Sequence, residues 1–371
     1  MTDMKQKCVA LAKEFQIGGT VEAVEPITNG HINETYYVLV DENGTKKQFV
    51  FQKVNTFVFR EPVQMMSNID HVTGHIAKKL PALNKDRDSV MHFLHTADGK
   101  NYFEAEDGFW RISEYVKNTV THNSCESPAL LRSAGRAFGE FQMLLSDFDA
   151  SVLYETIPNF HNTAKRYETM IAHVAEDPCG RVKEVQTEID ALIAIQPTAT
   201  RLCVLLNEGK LPLRVTHNDT KINNILFDKD ANEAKTVIDL DTVMPGLVAH
   251  DFGDAIRFAA NRAAEDEKDL SLVGLDLDYF RAFAEGFISE IANTMTPVEA
   301  ETMALGALVM TTECAVRFLD DYIVGDQYFK TAYEGHNLVR ARCQIKLAQD
   351  MLAHMDEMNA IIKEISEKAK A

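Results

Sequence analysis

The stretch Val215–Asp241, VTHNDTKINNILFDKDANEAKTVIDLD, decides the fold of this 371-residue chain. Its first half contains His217, Asp219, Lys221 and Asn224, which form the pattern H-x-D-x-K-x-x-N. In phosphoryl transfer an Asp in this position accepts the proton of the attacking hydroxyl, and an Asn five residues later holds a magnesium ion. The pattern therefore predicts a phosphoryl-transfer site in which Asp219 is the catalytic base and Lys221 offsets phosphate charge.

A second magnesium ligand is expected from the second half of this stretch. The apolar run Ile225–Asp228, the polar loop Lys229–Lys235 and the β-branched run Thr236–Leu240 predict a β-hairpin. That hairpin returns Asp239 to the side of Asn224. Proteins usually hold Mg²⁺ with one or two such oxygen ligands, while water and phosphate oxygens complete the octahedron. Asn224 and Asp239 are therefore the predicted metal ligands.

The same residues also have a purely structural interpretation. A match to H-x-D-x-x-x-x-N arises by chance in a chain of this length with a probability on the order of a few per cent. Asp219 and Asn224 are also residue types that bond their own backbone in turns. The apolar segment Leu211–Val215 before the motif and the completing Asp239 favour the phosphoryl-transfer interpretation.

Two segments of this region resemble one family of enzymes. The sequences THNDTKINN (216–224) and VIDLDTVMPGLVAHDFGDAIRF (237–258) are similar to the phosphotransferase family of aminoglycoside phosphotransferases, choline kinases and homoserine kinases. Within that family the likeness is greatest to N-acetylhexosamine 1-kinases, and it extends to NGHINETYYV (29–38) and the Arg317–Tyr328 region. The chain departs from the general family pattern at HNDTK, where His-Gly-Asp and a different residue pair are usual.

The resemblance implies an α+β, protein-kinase-like fold of two lobes that uses ATP and Mg²⁺. Residues 1–116 would form a small antiparallel β-sheet lobe that binds the nucleotide and ends in the hinge. Residues 117–371 would form a large, mainly helical lobe with the catalytic loop and the substrate pocket. The residues expected to contact ATP are Gly30, Lys53, Glu114, Tyr115 and Val116. Those expected to contact a sugar acceptor are His31, Asp219, Asp241, Arg317 and Tyr328.

The amino-terminal third has the residue pattern of a sheet. Runs of β-branched and aromatic residues are separated by turn signals such as Asn43-Gly44. The predicted strands are Val21–Ile27, Thr35–Val40, Lys47–Val54, Ser89–His95, Tyr102–Ala105 and Phe109–Val116. Because side chains alternate along a strand, Lys53 shares a face with Phe49 and Phe51. We expect Lys53 to reach the ATP phosphates while these rings border adenine; a merely solvated lysine is the alternative.

Two further features belong to this predicted nucleotide site. The loop Thr28–Asn33 has small residues that would let backbone N–H groups approach phosphates, although a β-turn with glycine at positive φ explains it equally. Asp70, on a helix predicted over Glu61–Leu80, is the candidate acidic partner of Lys53. Asp241 is expected on the same strand face as Asp239, where it would assist the metal or a substrate hydroxyl.

From Ser127 onward the hydrophobic period is helical. Ser127 is a predicted N-cap followed by proline at the first helical position. Further helices are predicted over Ala164–Ala175, Val182–Ile195, Asp276–Ala292, Pro297–Tyr322 and Asn337–Lys368. The sequence Asp251-Phe252-Gly253 lies too far from Asn224 to supply the metal ligand. Asp251 is instead predicted to cap a helix and, by the resemblance, to brace the catalytic loop.

Composition narrows the functional classes. Asp and Glu number 56 against 38 Lys and Arg, which gives a net charge of −18 and disfavours a nucleic-acid partner. The first fifteen residues have no continuous apolar segment, and no apolar run approaches the roughly 20 residues of a membrane span, so we expect a cytoplasmic protein without a membrane partner. Six cysteines without C-x-x-C spacing predict reduced, mostly buried thiols.

These observations lead to a functional hypothesis with three alternatives. The hypothesis is phosphorylation of the anomeric hydroxyl of N-acetylglucosamine or N-acetylgalactosamine by ATP. The first alternative keeps the chemistry and changes the acceptor to an amino alcohol, an aminoglycoside or homoserine. The second is a nucleotide-binding pseudokinase, against which the intact Asp219, Asn224 and Asp239 argue. The third is that Arg317 and Tyr328 merely form a solvated helix end.

Overall fold

The amino-terminal part of the chain is a five-stranded antiparallel sheet, seen in a computed structural model that describes residues 2–28, 32–125 and 127–370. Helix α1 (Thr2–Glu14) precedes the sheet, and helix α2 (Pro62–Lys79) lies between its third and fourth strands. The strands are β1 (Thr20–Ile27), β2 (Glu34–Glu42), β3 (Thr45–Val54), β4 (Phe103–Ala105) and β5 (Gly108–Glu114), in the spatial order β1-β2-β3-β5-β4. With the mainly helical remainder, this is the α+β architecture that the sequence predicted.

The turn between β2 and β3 is the predicted Asn-Gly hairpin. Asn43 and Gly44 have φ angles of 54° and 87°, the left-handed conformation that both central residues of a type I′ turn require. The Gly44 N–H donates to Asp41 Oδ1 at 2.7 Å. This short turn fixes the register of the two strands, so that Lys53 lies opposite Glu34.

Helix α1 covers one face of the sheet. Its side chains Cys8 and Leu11, and Phe15 immediately after the helix, are buried together with Phe51 and Trp110. The burial of this apolar surface supplies the hydrophobic stabilisation of the small lobe. The opposite face of the sheet packs against α2 and looks toward the rest of the chain.

The prediction of a regular strand over Ser89–His95 is wrong. A single bridge, between Phe93 and Ser113, joins it to β5. A short 3-10 helix, Arg87–Ser89, occupies its start, and the Asp86 side chain caps that helix by accepting a backbone N–H at 3.2 Å. The cap fixes a turn where the residue pattern alone predicted extended backbone.

The rest of the chain is mainly helical, with short strands around the catalytic stretch. The helices are α3 (Pro128–Leu144), α4 (Thr163–Glu176), α5 (Gln186–Ala199), α6 (Arg201–Asn207), α7 (Val248–Ala259), α8 (Leu277–Ile291), α9 (Pro297–Ile323), α10 (His336–Ala353) and α11 (Met355–Lys370). The strands are β6 (Thr119–Val120), β7 (Arg214–Thr216), β8 (Ile225–Asp228), β9 (Ala234–Val237) and β10 (Met244–Gly246). The Ser127 cap is confirmed by its bond from Leu130 N at 3.2 Å. The helix predicted over Asn337–Lys368 is two helices.

Helix α9 is the centre of the helical part, and α7 lies directly against it. A Cβ atom on Gly253 of α7 would stand 2.2 Å from the carbonyl oxygen of Gly306 of α9. Only glycine permits so close an approach of two helix backbones. The contact therefore fixes α7, which carries Asp251, relative to α9, which carries Arg317.

Two helical stretches have the length and composition of a membrane span. They are α9 and the combined stretch Val182–Asn207. In α9, 89% of the apolar window is buried inside the protein, against 33% in the other stretch. A buried core helix passes the same test of length and composition as a membrane helix.

Cys8, Cys179, Cys203, Cys314 and Cys343 are free thiols. Cys8 and Cys343 are buried, and Cys179 is exposed. Cys125, Cys203 and Cys314 lie at intermediate depth. The prediction of mostly buried thiols is therefore wrong, and that of reduced thiols stays a prediction.

Candidate active site

The catalytic stretch forms a tight loop between β7 and β8. Asn218 has a φ of 64°, and this left-handed residue turns the chain so that Asp219 faces the space between the lobes. The Asp219 carboxylate accepts from Asn224 Nδ2 at 3.0 Å and lies 3.1 Å from Lys221 Nζ. Its side chain is 27% exposed. The two contacts fix the carboxylate from either side while leaving it open to the cleft.

The predicted hairpin is present and returns Asp239 to Asn224. Strand β8 pairs with β9 through Ile225 and Val237, and Ile238 N donates to Asn224 O at 2.9 Å. The backbone then leaves the extended conformation, because Asp239 has a φ of 61° and a 3-10 turn follows it. The expectation that Asp239 and Asp241 share one strand face is therefore wrong.

Three carboxylates meet in this part of the cleft. Desolvation of the Asp239 carboxylate between the lobes, followed by the charges of Asp241 and Asp219, raises the pKa of Asp239 to about 6. Burial opposes the charge of Lys221, but the Asp219 and Asp254 carboxylates outweigh it and raise the Lys221 pKa. A cluster of this kind attracts a cation.

The donor set suits a cation that keeps part of its water shell. Within residues 2–28, 32–125 and 127–370, no group of three His, Cys, Asp or Glu side chains is arranged to hold a metal. Asn224 and Asp239 instead offer one amide oxygen and one carboxylate. Two oxygen ligands leave most of an octahedron to water and phosphate oxygens, as Mg²⁺ prefers.

Helix α7 braces the catalytic loop through Asp251. This buried carboxylate accepts from His217 N at 2.9 Å, Asn218 N at 2.7 Å and Gln142 Nε2 at 2.6 Å. The helix begins at Val248, so Asp251 lies in its first turn and is not its N-cap. The predicted capping role is wrong, and the bracing role implied by the resemblance is what the contacts show.

A buried ion pair that the sequence did not reveal supports the same loop. His161 Nδ1 lies 2.9 Å from Glu313 Oε1, and His161 Nε2 donates to Asn218 O at 3.1 Å. Thr163 Oγ1 donates to the other Glu313 oxygen at 2.7 Å. Burial alone would lower the pKa of His161, but the Glu313 carboxylate outweighs it and raises that pKa. Burial would raise the pKa of Glu313, and His161 and Thr163 lower it to about 2.

A second imidazole beside this pair is neutral. The rings of His161 and His250 are 5.2 Å apart. Burial and the charge of His161 lower the pKa of His250 to about 3. Neither ring nitrogen of His250 has a hydrogen-bond partner within the described part of the chain.

Lys53 lies on the face of the sheet that α1 covers. It is opposite Trp110 in β5, its Nζ is 3.9 Å from Glu34, and its Cε would meet a Cβ on Gly108 at 2.6 Å. Arg111, the next residue after Trp110, points to the other face. The prediction that Lys53 reaches the ATP phosphates is therefore wrong, because alternation reveals which residues share a face but not which face meets the cleft.

The other expectations tied to Lys53 fail for the same reason. Phe49 and Phe51 pack in the cluster under α1 and do not border the cleft. The expected acidic partner Asp70 pairs with His95 at 3.0 Å on the surface.

Arg111 is the cation that β5 presents to the cleft. Its Nη1 forms an ion pair with Asp241 Oδ1, and its Nε donates to Gln52 Oε1 at 3.0 Å. Asn33 Nδ2 donates to the other Asp241 oxygen at 2.7 Å. Both oxygens of Asp241 are thus occupied by residues of the sheet lobe. Asp241 links the two lobes, and these contacts do not support the predicted substrate contact.

The hinge residues differ in whether their backbone N–H groups already donate a hydrogen bond. Glu114 N donates to His92 O at 2.9 Å, and Tyr115 N donates to Gln48 O at 3.1 Å. Within the described residues no hydrogen bond uses the Val116 N–H. Of the three predicted adenine contacts, only Val116 has a backbone donor available.

The predicted acceptor residues Arg317 and Tyr328 lie together. The Arg317 guanidinium is 5.8 Å from the centre of the Tyr328 ring and 5.3 Å from that of Phe329. No hydrogen bond or ion pair engages Arg317 within the described residues. Two other predicted contacts, Gly30 for ATP and His31 for the sugar, lie outside the described residues.

Asp321 holds the segment that carries Tyr328. Its oxygens accept the backbone N–H groups of Gln327, Tyr328 and Phe329 at 2.8 to 2.9 Å, and Asn337 Nδ2 donates at 2.8 Å. The side chain is buried, so these four bonds satisfy a charge that would otherwise be costly. No local residue pattern separates this structural Asp from its neighbour Asp320.

Comparison with known proteins identifies relatives of this architecture. Residues 23–284 match the model of the phosphotransferase enzyme family (APH). A microcompartment-associated aminopropanol kinase aligns with a TM-score of 0.58 at 14% identity, covering 95% of this chain and 98% of that one. Choline kinase from Cryptosporidium parvum aligns at 0.53 and 13%, covering 93% and 92%. The ADP-bound aminoglycoside phosphotransferase APH(2'')-Ib aligns at 0.52 and 14%, covering 93% and 98%. At these identities the structural matches establish the fold alone.

Proposed function

The chain belongs to the phosphotransferase enzyme family, and on that premise we propose that it is an ATP-dependent N-acetylhexosamine 1-kinase. It transfers the γ-phosphoryl group of ATP to the anomeric hydroxyl of N-acetylglucosamine or N-acetylgalactosamine, with the sugar 1-phosphate and ADP as products. The observation that carries the acceptor assignment is Arg317, a guanidinium without an acidic partner in the described chain, beside the rings of Tyr328 and Phe329.

Asp219 receives the proton of the attacking hydroxyl. The anomeric oxygen forms a bond to the γ-phosphorus while the bond from that phosphorus to the β,γ-bridging oxygen breaks, and the proton passes to the Asp219 carboxylate. Asn224 and Lys221 hold this carboxylate at 3.0 and 3.1 Å, so its orientation is set before the substrate arrives. Positioning of this kind supplies much of the rate in phosphoryl transfer.

The nucleotide site combines the catalytic loop with the inner face of the sheet. Asn224 and Asp239 would hold Mg²⁺, which would supply positive charge against the phosphates of ATP. Lys221 adds a positive charge from the loop. The Val116 N–H is available to donate to adenine, and Leu39 and Val50 are half-buried apolar side chains on strand positions that alternate with those under α1.

The charges near Arg317 support a neutral acceptor over a cationic one. Amino alcohols and aminoglycosides carry ammonium groups, which bind best to unpaired carboxylates. The three carboxylates on this part of α9 are already engaged, Glu313 with His161, Asp320 with His173, and Asp321 with backbone N–H groups. A sugar with hydroxyl and carbonyl oxygens matches the remaining guanidinium.

Two further assignments complete the proposal. We place the lobe boundary at the hinge, with residues 1–116 as the nucleotide-binding lobe and 117–371 as the catalytic lobe. We also propose a cytoplasmic location, where ATP is available to the enzyme.

An acceptor panel tests the proposed function. Turnover of MgATP is measured with N-acetylglucosamine, N-acetylgalactosamine, glucosamine, choline, aminopropanol, homoserine and an aminoglycoside. The highest kcat/KM is expected for the two N-acetylhexosamines. A clear preference for choline, aminopropanol or the aminoglycoside contradicts the proposal, and absence of turnover with every acceptor favours the pseudokinase alternative.

Arg317→Lys tests the residue on which the acceptor assignment rests. The change replaces a planar fork of donors with a point charge on a flexible stem. We expect kcat/KM for N-acetylglucosamine to fall by roughly 10-fold or more, the loss of one charge-assisted contact, with KM for ATP within about 2-fold. Equal changes in both KM values, or none in either, would return Arg317 to the role of a solvated helix end.

A further inference from the structure

Helices α4 and α9 of the large lobe pack so that Arg166 on α4 lies near Arg317 on α9. Thr163 Oγ1 of α4 bonds Glu313 of α9 at 2.7 Å, and further along His173 Nδ1 of α4 bonds Asp320 of α9 at 2.7 Å. Residue numbers rise in the same direction on both helices, so α4 and α9 run parallel where they pack. Any residue between these two links on either helix lies near the seam between the helices.

Arg166 and Arg317 occupy that interval. Arg166 is three residues after Thr163, and Arg317 is four residues after Glu313. Residues three or four apart in a helix share a face, at a rise of about 5 to 6 Å. The backbone positions of Arg166 and Arg317 therefore lie on facing helices, each about one turn beyond the Thr163–Glu313 bond.

Neither arginine has a carboxylate at ion-pair distance within the described residues, although the charges of Glu313 and Asp320 act on Arg166. Arg166 donates only to the backbone oxygen of Phe160, at 3.1 Å, and its buried Nε has no partner within the described chain. No ion pair involves Arg166 or Arg317 there. Burial, and next the charge of Arg317, lowers the pKa of Arg166, as expected for two like charges held together. Buried donors without partners are costly unless a ligand satisfies them.

The position of Arg166 connects it to the reacting centre. Its partner Phe160 precedes His161, whose Nε2 holds the Asn218 carbonyl immediately before Asp219. Two hydrogen bonds, Arg166–Phe160 and His161–Asn218, therefore connect Arg166 to the catalytic loop.

We propose that Arg166 is a second acceptor-binding residue, and that the Arg166–Arg317 pair restricts the enzyme to acceptors that offer oxygen atoms and no ammonium group. The inference rests on the proposed function and narrows it to a class. Carbonyl, hydroxyl and carboxylate oxygens satisfy the two guanidiniums, whereas a protonated amine is repelled by both. Glucosamine, which differs from N-acetylglucosamine by an ammonium in place of the acetamide, is therefore rejected.

The test measures this discrimination in Arg166→Gln, with Arg166→Lys and Arg132→Gln for comparison. Arg132 is an exposed arginine paired with Glu285 and remote from the seam, so its loss changes net charge by the same amount. For Arg166→Gln we expect kcat/KM for N-acetylglucosamine to fall roughly 10- to 100-fold, as for loss of a charge-assisted hydrogen bond, with KM for ATP within about 2-fold. The ratio of kcat/KM for N-acetylglucosamine to kcat/KM for glucosamine is expected to fall by at least about 10-fold, because the variant lacks one of the two positive charges that repel the ammonium group. Arg166→Lys keeps the rejection of glucosamine, and Arg132→Gln matches the parent.

Each outcome decides a separate point. If the parent prefers N-acetylhexosamines but Arg166→Gln leaves both acceptors unchanged, the inference fails and the proposed function stands. If the parent instead prefers another neutral or anionic acceptor, and Arg166→Gln lowers its kcat/KM selectively, the inference stands and the sugar assignment fails. A parent that prefers a cationic acceptor overturns both.

Ligand-induced rises in melting temperature, measured with MgADP present, give the same comparison without turnover. The inference is overturned if no neutral or anionic acceptor in the panel is phosphorylated by the parent or raises its melting temperature. If the Arg166→Gln protein does not fold, Arg166→Met takes its place in the same comparison.

Discussion

Replacing Glu313 by glutamine removes the charge from the buried pair beneath the catalytic loop. The pair is nearly inaccessible, with side chains 8% and 1% exposed, and its atoms are 2.9 Å apart. Lowering the Glu313 pKa from 4.5 to about 2 corresponds to about 3 kcal/mol of stability when the carboxylate is ionised. Glutamine keeps the shape and one bond to Thr163, so we expect a loss of about 2 to 4 kcal/mol, near the lower end for breaking a buried ion pair.

The pH dependence of this loss follows from the two pKa shifts. Because the folded pKa of Glu313 is depressed, its contribution is present above pH 4.5 and is lost as pH falls toward 2. Because the folded pKa of His161 is raised, its contribution is fully present below about pH 6.5 and is lost as pH rises through the raised value. The difference between the parent and Glu313→Gln is therefore largest between about pH 4.5 and 6.5.

Thermal unfolding from pH 4 to 9 measures this difference. The expected fall in melting temperature at pH 5.5 is on the order of 5 °C. Glu285→Gln, which breaks the exposed pair with Arg132, is the control and is expected to change stability by less than about 1 kcal/mol. A Glu313→Gln protein as stable as the parent at pH 5.5, or a difference that does not vary with pH, would refute the charged His161–Glu313 pair.

Three other predictions concern the chemistry and the sheet. Asp219→Asn is expected to keep the fold and MgATP binding, measured by calorimetry, and to lower kcat by roughly 10²- to 10⁴-fold, the range for losing a positioned base; an unchanged kcat would remove that role. Asn224→Ala and Asp239→Ala each delete an oxygen ligand and are expected to raise the Mg²⁺ concentration at half-maximal activity, so saturation at the parental concentration in both would contradict the metal assignment. Lys53→Ala is expected to leave KM for ATP within about 2-fold. Arg111→Ala leaves the buried Asp241 carboxylate without its ion pair and is expected to lower the melting temperature and the activity together. A large rise in KM for ATP in Lys53→Ala alone would restore the predicted contact of Lys53 with the ATP phosphates.

The sequence predicted the parts of the site that lie close together in the chain. The spacing of Asp219 and Asn224, and the hairpin that returns Asp239, are local properties, because turn residues and apolar runs within about 25 residues determine them. The Asn43-Gly44 turn was predictable for the same reason, since both positions require a left-handed backbone.

The predictions that failed depended on which face of the small-lobe sheet borders the cleft. Alternation in β3 grouped Lys53 with Phe49 and Phe51 correctly, yet it could not say whether that face meets the cleft or α1. A signal was present, since the amphipathic first helix needs an apolar sheet face to cover, and the Phe49–Phe51 face is the more apolar one. Arg111, the single cation in the apolar strand Gly108–Glu114, was the corresponding clue to the inner face.

Other site residues gave no local signal. His161 and Glu313 are 152 positions apart, and their pairing depends on how α4 packs on α9. The same holds for Arg166, whose importance appears only when Arg317 is seen across the seam. Tertiary packing of this kind is not encoded in the periodicity of either helix.

The position of the phosphate on the product tests the central claim most directly. The parent is incubated with MgATP and N-acetylglucosamine, and the product is examined by phosphorus NMR with coupling to the sugar protons. The account predicts one new phosphate ester whose phosphorus couples to the anomeric proton, formed in step with ADP and greatly slowed in Asp219→Asn. A phosphate on any other hydroxyl, or no sugar phosphate while a cationic acceptor is phosphorylated under the same conditions, would contradict it.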